Sequence, residues 1–379
     1  MSEVITPFEL AVLQSDLDDL TYRLDRTRWP ERETADGWTQ GVPLDRLRAL
    51  VAYWRNDYDW RRCEAMLNGF GQYKTQIDGL DIHFLHIRSP HADAMPMLLT
   101  HGWPGSVIEF HKVIGPLTDP VAHGGDAVDA FHLVVPSLPG YGFSGKPAET
   151  GWGVERTARA WAELMRRLGY DRYVAQGGDW GSAVTVSLGV QAPPGLAGVH
   201  FNMLSIRPDD LGPELDADEE KAVGQLRHFA DVESAYARLQ ATRPQTIGYS
   251  LADSPVGQAA WIYEKLRGWS DCDGEPETIF TYDEMLDNIM LYWLNNSGAS
   301  SARLYWESMG SFRPMTIDVP LGYTQFPGEI MSPPRKWGES LFSRIIHWNK
   351  VEKGGHFAAF EQPRIFVKEV RTCFRQLRD

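Results

Sequence analysis

Val174-Ala-Gln-Gly-Gly-Asp-Trp-Gly-Ser182 constrains this chain more than any other stretch. An apolar run of strand formers ends in a glycine pair. One acidic residue follows, Asp179, then Trp180, another Gly, and a sequence that reads as helix from Ala183 to Val190. Strand, sharp turn and helix must therefore succeed one another within a few residues. Side chains at the flanking positions would collide in such a turn, so Gly177 and Gly181 have a steric reason to be there. The turn lifts the Asp179 side chain above a sheet, at a helix start where free backbone N–H groups point outward. An aspartate carboxylate is ionised at neutral pH and, unlike serine, needs no base to act as a nucleophile. Taken alone, the pattern more readily fits an Asp capping a helix in some doubly wound sheet. The rest of the chain separates the two readings.

The surrounding sequence supplies a sheet. Tyr73–Ile77 and Leu80–Ile87 flank Asp78-Gly79, a type I′ hairpin dipeptide. Met95–Thr100 and Phe131–Pro136 are nearly continuous apolar runs, as suits strands buried on both faces. A helix over Val154–Leu168 gathers Ala158, Trp161, Leu164, Met165 and Leu168 on one face. The strand Arg172–Gln176 feeds the Asp179 turn, and Leu196–Met203 reads as the next strand. This alternation predicts the α/β class, a mostly parallel doubly wound sheet with an antiparallel start.

Before it, residues 1–70 read as helical. Thr6-Pro7-Phe8-Glu9 has the form of an N-cap, an N1 proline and a capping-box Glu, and Leu10, Leu13, Leu17, Leu20 and Leu24 make one apolar face up to Trp29-Pro30. A second helix starts near Asp45, with Leu47, Leu50, Val51 and Trp54 inward, and a third covers Trp60–Leu67. Three short helices rarely make a core alone, so this segment is expected to wrap around the main domain. After Met203 the alternation stops. Residues 205–318 are helix-like, with Ser254-Pro255 and Asp283-Glu284 opening helices. Strands return at Val319–Gln325 and Ile345–Val351, before a last helix over Pro363–Leu377. The expected organisation is a meander over 1–70, a core over 71–204 and 319–379, and a helical lid over 205–318. The lid would sit above the carboxyl ends of the strands, where ligands bind in such sheets.

The net charge of −14 argues against nucleic acid or an anionic membrane as partner. The three cysteines, Cys63, Cys272 and Cys373, are far apart and form no metal or redox spacing, as expected of reduced thiols. The N-terminus lacks the pattern of a secretion signal, and no apolar stretch approaches the ~18–20 residues of a membrane span. A cytoplasmic protein without a membrane anchor is expected.

Three further features point at Asp179. His101-Gly-Trp-Pro-Gly-Ser106 directly follows the strand Met95–Thr100. Its tight turn can aim a backbone N–H at the sheet's end, so Trp103 and Trp180 become candidate oxyanion donors. Lys353-Gly-Gly-His-Phe-Ala-Ala-Phe-Glu361 follows the final strand, where His356 can reach back to the nucleophile as a base. Phe326-Pro-Gly-Glu-Ile330 offers Glu329 as the group that orients this histidine, with Asp318 and Glu352 as competitors. Tyr236, Tyr249, Tyr263, Tyr292 and Tyr305 all fall in the lid segment, and physics alone does not choose among them.

At this point the chain resembles the microsomal-type epoxide hydrolase family, an α/β-hydrolase family with an N-terminal meander. Thr27-Arg-Trp-Pro30 and Tyr53-Trp-Arg-Asn-Asp-Tyr-Asp-Trp-Arg61 are similar to that meander. The motifs around Trp103, Asp179 and His356 are similar to its core. Asp253-Ser-Pro-Val-Gly257 with Glu264-Lys265, and Met290-Leu-Tyr-Trp293, are similar to its lid. The resemblance implies Asp179 as nucleophile, His356 as base and Glu329 as acid. It puts the ring-opening tyrosines on Tyr236, before Gln240-Ala-Thr-Arg-Pro244, and on Tyr305, in Arg303-Leu-Tyr-Trp-Glu307, with Tyr249 as the competitor to Tyr236. It further implies no metal or organic cofactor, a homodimer by analogy, and the family's soluble bacterial and fungal branch. Trp103, Trp180 and Trp306 suggest a bulky apolar or aryl epoxide, a xenobiotic or a natural-product intermediate. A haloalkane dehalogenase would use the same Asp ester, but its leaving halide needs N–H donors and no proton. A ligand receptor on this scaffold would be expected to lack the nucleophile or the base.

Overall fold

The computed structural model describes residues 3–208, 210, 211, 214–311 and 315–378. Its N-terminal part contains β1 (Ile5–Pro7), α1 (Gln14–Asp25), α2 (Leu44–Asn56), α3 (Trp60–Gly69), β2 (Gln72–Ile77) and β3 (Leu80–Ile87). The alternating part follows: β4 (Met95–Thr100), α4 (His111–Thr118), β5 (Phe131–Pro136), α5 (Val154–Arg167), β6 (Tyr173–Gly177), α6 (Asp179–Gln191) and β7 (Leu196–Phe201). Among the described residues six α-helices come next: α7 (Ala217–His228), α8 (Ala235–Thr242), α9 (Pro244–Asp253), α10 (Pro255–Gly268), α11 (Tyr282–Trp293) and α12 (Gly298–Ser308). The chain closes with β8 (Leu321–Gln325), α13 (Arg335–Leu341), β9 (Ile345–Lys350), α14 (Ala358–Glu361) and α15 (Pro363–Arg375).

Among the described residues one sheet has the order β1-β2-β3-β5-β4-β6-β7-β8-β9. The pairs from β1 to β5 along this order are antiparallel and the remainder are parallel, which is the predicted α/β-hydrolase arrangement. The apolar runs account for the centre. Met97, Leu98 and Leu99 on β4, Leu133, Val134 and Val135 on β5, and Val174 and Ala175 on β6 have no exposure at all, because helices cover both faces. At the hairpin, Asp78 and Gly79 have φ of 50° and 80°, as a type I′ turn requires.

The first helix departs from expectation. Ile5–Pro7 is an edge strand whose Thr6 pairs with Lys74, and α1 begins only at Gln14. A residue before proline is pushed towards extended backbone, and an edge strand tolerates the missing N–H of Pro7. Leu20 and Leu24 are buried, while Leu13, just ahead of α1, is 67% exposed. The N-terminal helices contact the later ones. Tyr58 and Arg62 both reach the carboxylate of Asp287 on α11, at 2.8 and 2.7 Å.

Candidate active site

Asp179 begins α6 with φ of 50°, a left-handed backbone rare outside glycine. The turn survives because its neighbours are bare. A Cβ on Gly181 would run into the carbonyls of Thr100 and His101, and one on Gly102 into the carboxylate of Asp179 itself. The loop after β4 can therefore close onto the elbow. The backbone N–H of Trp103 donates to Asp179 Oδ1 at 2.7 Å. Trp180, the other candidate oxyanion donor, directly follows Asp179 in the first turn of α6 and is buried.

On the other oxygen, His356 Nε2 lies 3.3 Å from Asp179 Oδ2. Its Nδ1 is 2.8 Å from Glu329 Oε1. Parallel β8 and β9 deliver both residues. The bridge between Gly328 and Gly355 locks the two following loops side by side and selects Glu329 over Asp318 and Glu352. Burial pulls the imidazole down, but the Glu329 charge, the hydrogen bonds to Asp179 and Glu329, and the Asp179 charge outweigh it. They hold His356 well above the usual imidazole range. His101, the other histidine near the elbow, behaves oppositely. Burial pushes it down to about 4, and its Nε2 accepts from the Leu138 N–H, so it is a neutral part of the loop's frame.

Tyr236 on α8 and Tyr305 on α12 face the carboxylate from the lid. They share with Asp179 a cavity of about 80 Å³ whose wall also carries Phe229, Ile330 and the methionines Met203, Met309 and Met331. Burial, followed by the charge of Asp179, raises the Tyr236 phenol well above its ordinary value, against a smaller opposite effect from its bond with Tyr305. Burial does the same to Tyr305, helped by Tyr236 and Asp179. Both phenols therefore keep their protons in the resting site. The Trp103 ring stacks on Tyr236 with centroids 4.9 Å apart and 11° between planes, and Trp180 meets Tyr305 edge-on at 4.8 Å.

The other candidates lie elsewhere. Tyr249 is 69% exposed, Tyr263 bonds Glu277, and Tyr292 donates to the Gly105 carbonyl at 2.8 Å. Trp306 does not line the cavity: it is 52% exposed, because one residue beyond the inward Tyr305 is about 100° further round the helix. A separate cleft of about 880 Å³ lies between the segment around Trp29 and the start of α10, and carries none of these residues.

Sequence reasoning missed the scaffold of the site. Asn288 on α11 is buried, accepts from the Ser106 hydroxyl and donates to the Pro104 carbonyl, each at 2.7 Å. Glu361 accepts the backbone N–H groups of Asp271, Gly355 and Phe357 at 2.9 Å and so pins the His356 loop. Its place in the Gly-Gly-His-Phe motif was the available signal. Nothing local marked Asn288.

With this geometry in place, comparison with known proteins is specific. Residues 5–110 match the epoxide hydrolase N-terminus family, and residues 95–237 match the alpha/beta hydrolase fold family. A relative from Stigmatella aurantiaca is 59% identical over 376 residues, spanning 99% of this chain and 86% of its own. Epoxide hydrolase 1 of Oryctolagus cuniculus is 36% identical over 400 residues, spanning 97% of this chain and 88% of its own. The solved Aspergillus niger epoxide hydrolase superposes with a TM-score of 0.88 at 34% identity, covering 99% of this chain and 97% of that one. Sequence and fold thus agree, and the chain belongs to the epoxide hydrolase family of α/β-hydrolases, its reaction the hydrolysis of epoxides.

Proposed function

We propose that this chain converts apolar epoxides to vicinal diols through a covalent ester on Asp179. The observation that carries the proposal is the meeting of Asp179, Tyr236 and Tyr305 in one cavity, with His356 on the far side of the carboxylate. An Asp179 oxygen attacks one epoxide carbon and the epoxide C–O bond breaks. The opened oxygen takes a proton from the tyrosine pair. His356 Nε2 then takes a proton from a water whose oxygen adds to the ester carbon. The N–H groups of Trp103 and Trp180 receive the oxyanion, a contribution of roughly 3–4 kcal/mol for each donor. The bond from the ester carbon to the diol oxygen breaks and that oxygen is protonated by His356. The proton released as Asp179 regains its carboxylate restores the tyrosine. Glu329 keeps the imidazole in the tautomer this requires.

The two phenols favour an epoxide over a haloalkane, since only an opened epoxide oxygen needs a proton. The Met-lined wall supports an apolar substrate of variable outline, because unbranched thioether side chains reshape readily. At about 80 Å³ the cavity suits a small alkyl epoxide better than the bulky aryl one suggested by the tryptophans. Trp103 backs Tyr236, and Trp306 faces outward. Its three separated, unpaired cysteines support a cytoplasmic setting.

A single turnover in ¹⁸O-labelled water tests the ester. The first diol should carry no solvent label, and a labelled first diol would mean direct attack by water. Halide release from haloalkanes without diol formation from epoxides would overturn the substrate class.

A further inference from the structure

Asp179 also borders a second cavity of about 10 Å³, the space of about one water. Asp179, His356, Asn202 and Glu109 are among its walls. Glu109 stands in the short 3₁₀ turn Val107–Phe110 that follows the oxyanion loop. Its carboxyl occupies the place a side chain at residue 105 would take: a Cβ on Gly105 would overlap Glu109 Oε1. The glycine of Trp-Pro-Gly thus opens the way for an acid arriving from four residues downstream. Burial, with the Asp179 charge adding to it, raises Glu109 to about 8 against the opposing pull of His356, so this carboxyl interacts electrostatically with both reacting residues.

We propose that Glu109 holds the hydrolytic water in this cavity, accepting one of its O–H groups while the other points at His356 Nε2. The inference rests on the ester mechanism above. The water gives its second proton to His356, its oxygen bonds the ester carbon of Asp179, and the bond to the diol oxygen breaks. Glu109 keeps its own protonation state throughout, since an ionised or a neutral carboxyl each offers an acceptor oxygen. Its part is to fix the oxygen lone pair on the line of attack.

The test is Glu109→Leu, with Glu109→Gln as the variant that keeps an acceptor oxygen, using 1,2-epoxyhexane as probe. Leucine removes a half-buried acid without opening a void, so folding should survive, and thermal melting checks this. Alkylation, read as the burst of Asp179 adduct, should keep the wild-type rate. Ester hydrolysis should slow roughly 10- to 100-fold, the worth of one buried hydrogen bond in a transition state. Steady-state kcat and KM should then fall together, leaving kcat/KM unchanged, and the glutamine variant should recover most of the hydrolysis rate. Unchanged hydrolysis in Glu109→Leu would overturn the assignment, and so would an equal loss in both half-reactions, which marks a structural role. Solvent label in the wild-type enzyme's first diol would instead sink the ester mechanism itself, whatever the Glu109 variants do.

Discussion

Asn288→Ala should damage catalysis from a residue that touches neither substrate nor nucleophile. Asn288 is 2% exposed, and its amide makes two hydrogen bonds of 2.7 Å to the loop that carries Trp103. Each buried neutral bond contributes about 1 kcal/mol net, and the Pro104 carbonyl left without its donor adds about 1–3 kcal/mol. The expected loss of stability is therefore about 3–5 kcal/mol, measured by urea unfolding. The kinetic effect follows from the next residue. Pro104 is bonded to Trp103, whose N–H holds Asp179 Oδ1 at 2.7 Å in the resting site and would receive the ester oxyanion. If the loop relaxes far enough to lose that donor, ester hydrolysis slows by about 10²–10³-fold. Tyr292→Phe, which removes the single bond to the Gly105 carbonyl, should show a smaller version of both effects. Rapid-quench measurement of ester formation and decay separates the half-reactions. A variant that loses stability but turns over at the wild-type rate would refute the claim that α11 aims the oxyanion donor.

Tyr305→Phe and Tyr236→Phe should each slow ester formation by roughly 10²-fold, the lower range for general acid catalysis, because each leaves one phenol to serve the opened oxygen. The double variant should abolish alkylation in a stopped-flow trace, and equal rates for the double variant and either single one would contradict a shared duty. His356→Gln should alkylate yet fail to release diol, so the peptide containing Asp179 gains the mass of the epoxide. A variant with no adduct from a substrate turned over by the wild type would break the division of roles.

The strands at the centre were legible because their signal is local. Met95–Thr100 and Phe131–Pro136 have the predicted bounds, since apolar runs of that length flanked by turn formers have few other ways to be buried. The elbow was legible because only Gly177 and Gly181 can flank it. Thr6-Pro7-Phe8-Glu9 misled because a strand edge and a helix N-terminus both welcome proline, and the partner that decides, Lys74, lies 68 residues away. Position in the sequence favoured Glu329 over Asp318 only weakly, because the deciding contact is the bridge between the loops after β8 and β9. Asn288 was invisible for the same reason: its partners at 104 and 106 are more than 180 positions away in sequence. Trp306 misled because adjacency in a helix is not a shared face.

The charges around His356 explain how a ring that is charged in the resting site becomes the base of the second half-reaction, and they fix a pH dependence. In the resting site Glu329 and Asp179 both lie within 3.3 Å of the ring, and together they hold its proton well above the usual imidazole range. His356 is therefore charged at neutral pH when substrate arrives, which does not impede attack by the ionised Asp179. Ester formation removes the Asp179 charge. One source of the raised pKa disappears, the imidazole becomes more acidic and gives its proton to solvent, to be taken back when the Asp179 carboxylate reforms, and so the base needed for the second step is generated by completion of the first. The sign follows. Ester hydrolysis needs neutral His356, so its rate should rise with pH and level off above the pKa of the ester state. That pKa lies below the resting value. Glu329→Gln removes the other anion, so it should shift the rise to still lower pH while lowering the plateau, since the ring is less well oriented and its charged form less stabilised. Single-turnover decay of the ester across mildly acidic to mildly alkaline buffers gives both numbers for each protein. A decay rate that is flat in pH, or a Glu329→Gln profile displaced to higher pH, would contradict an imidazole governed by these two carboxylates.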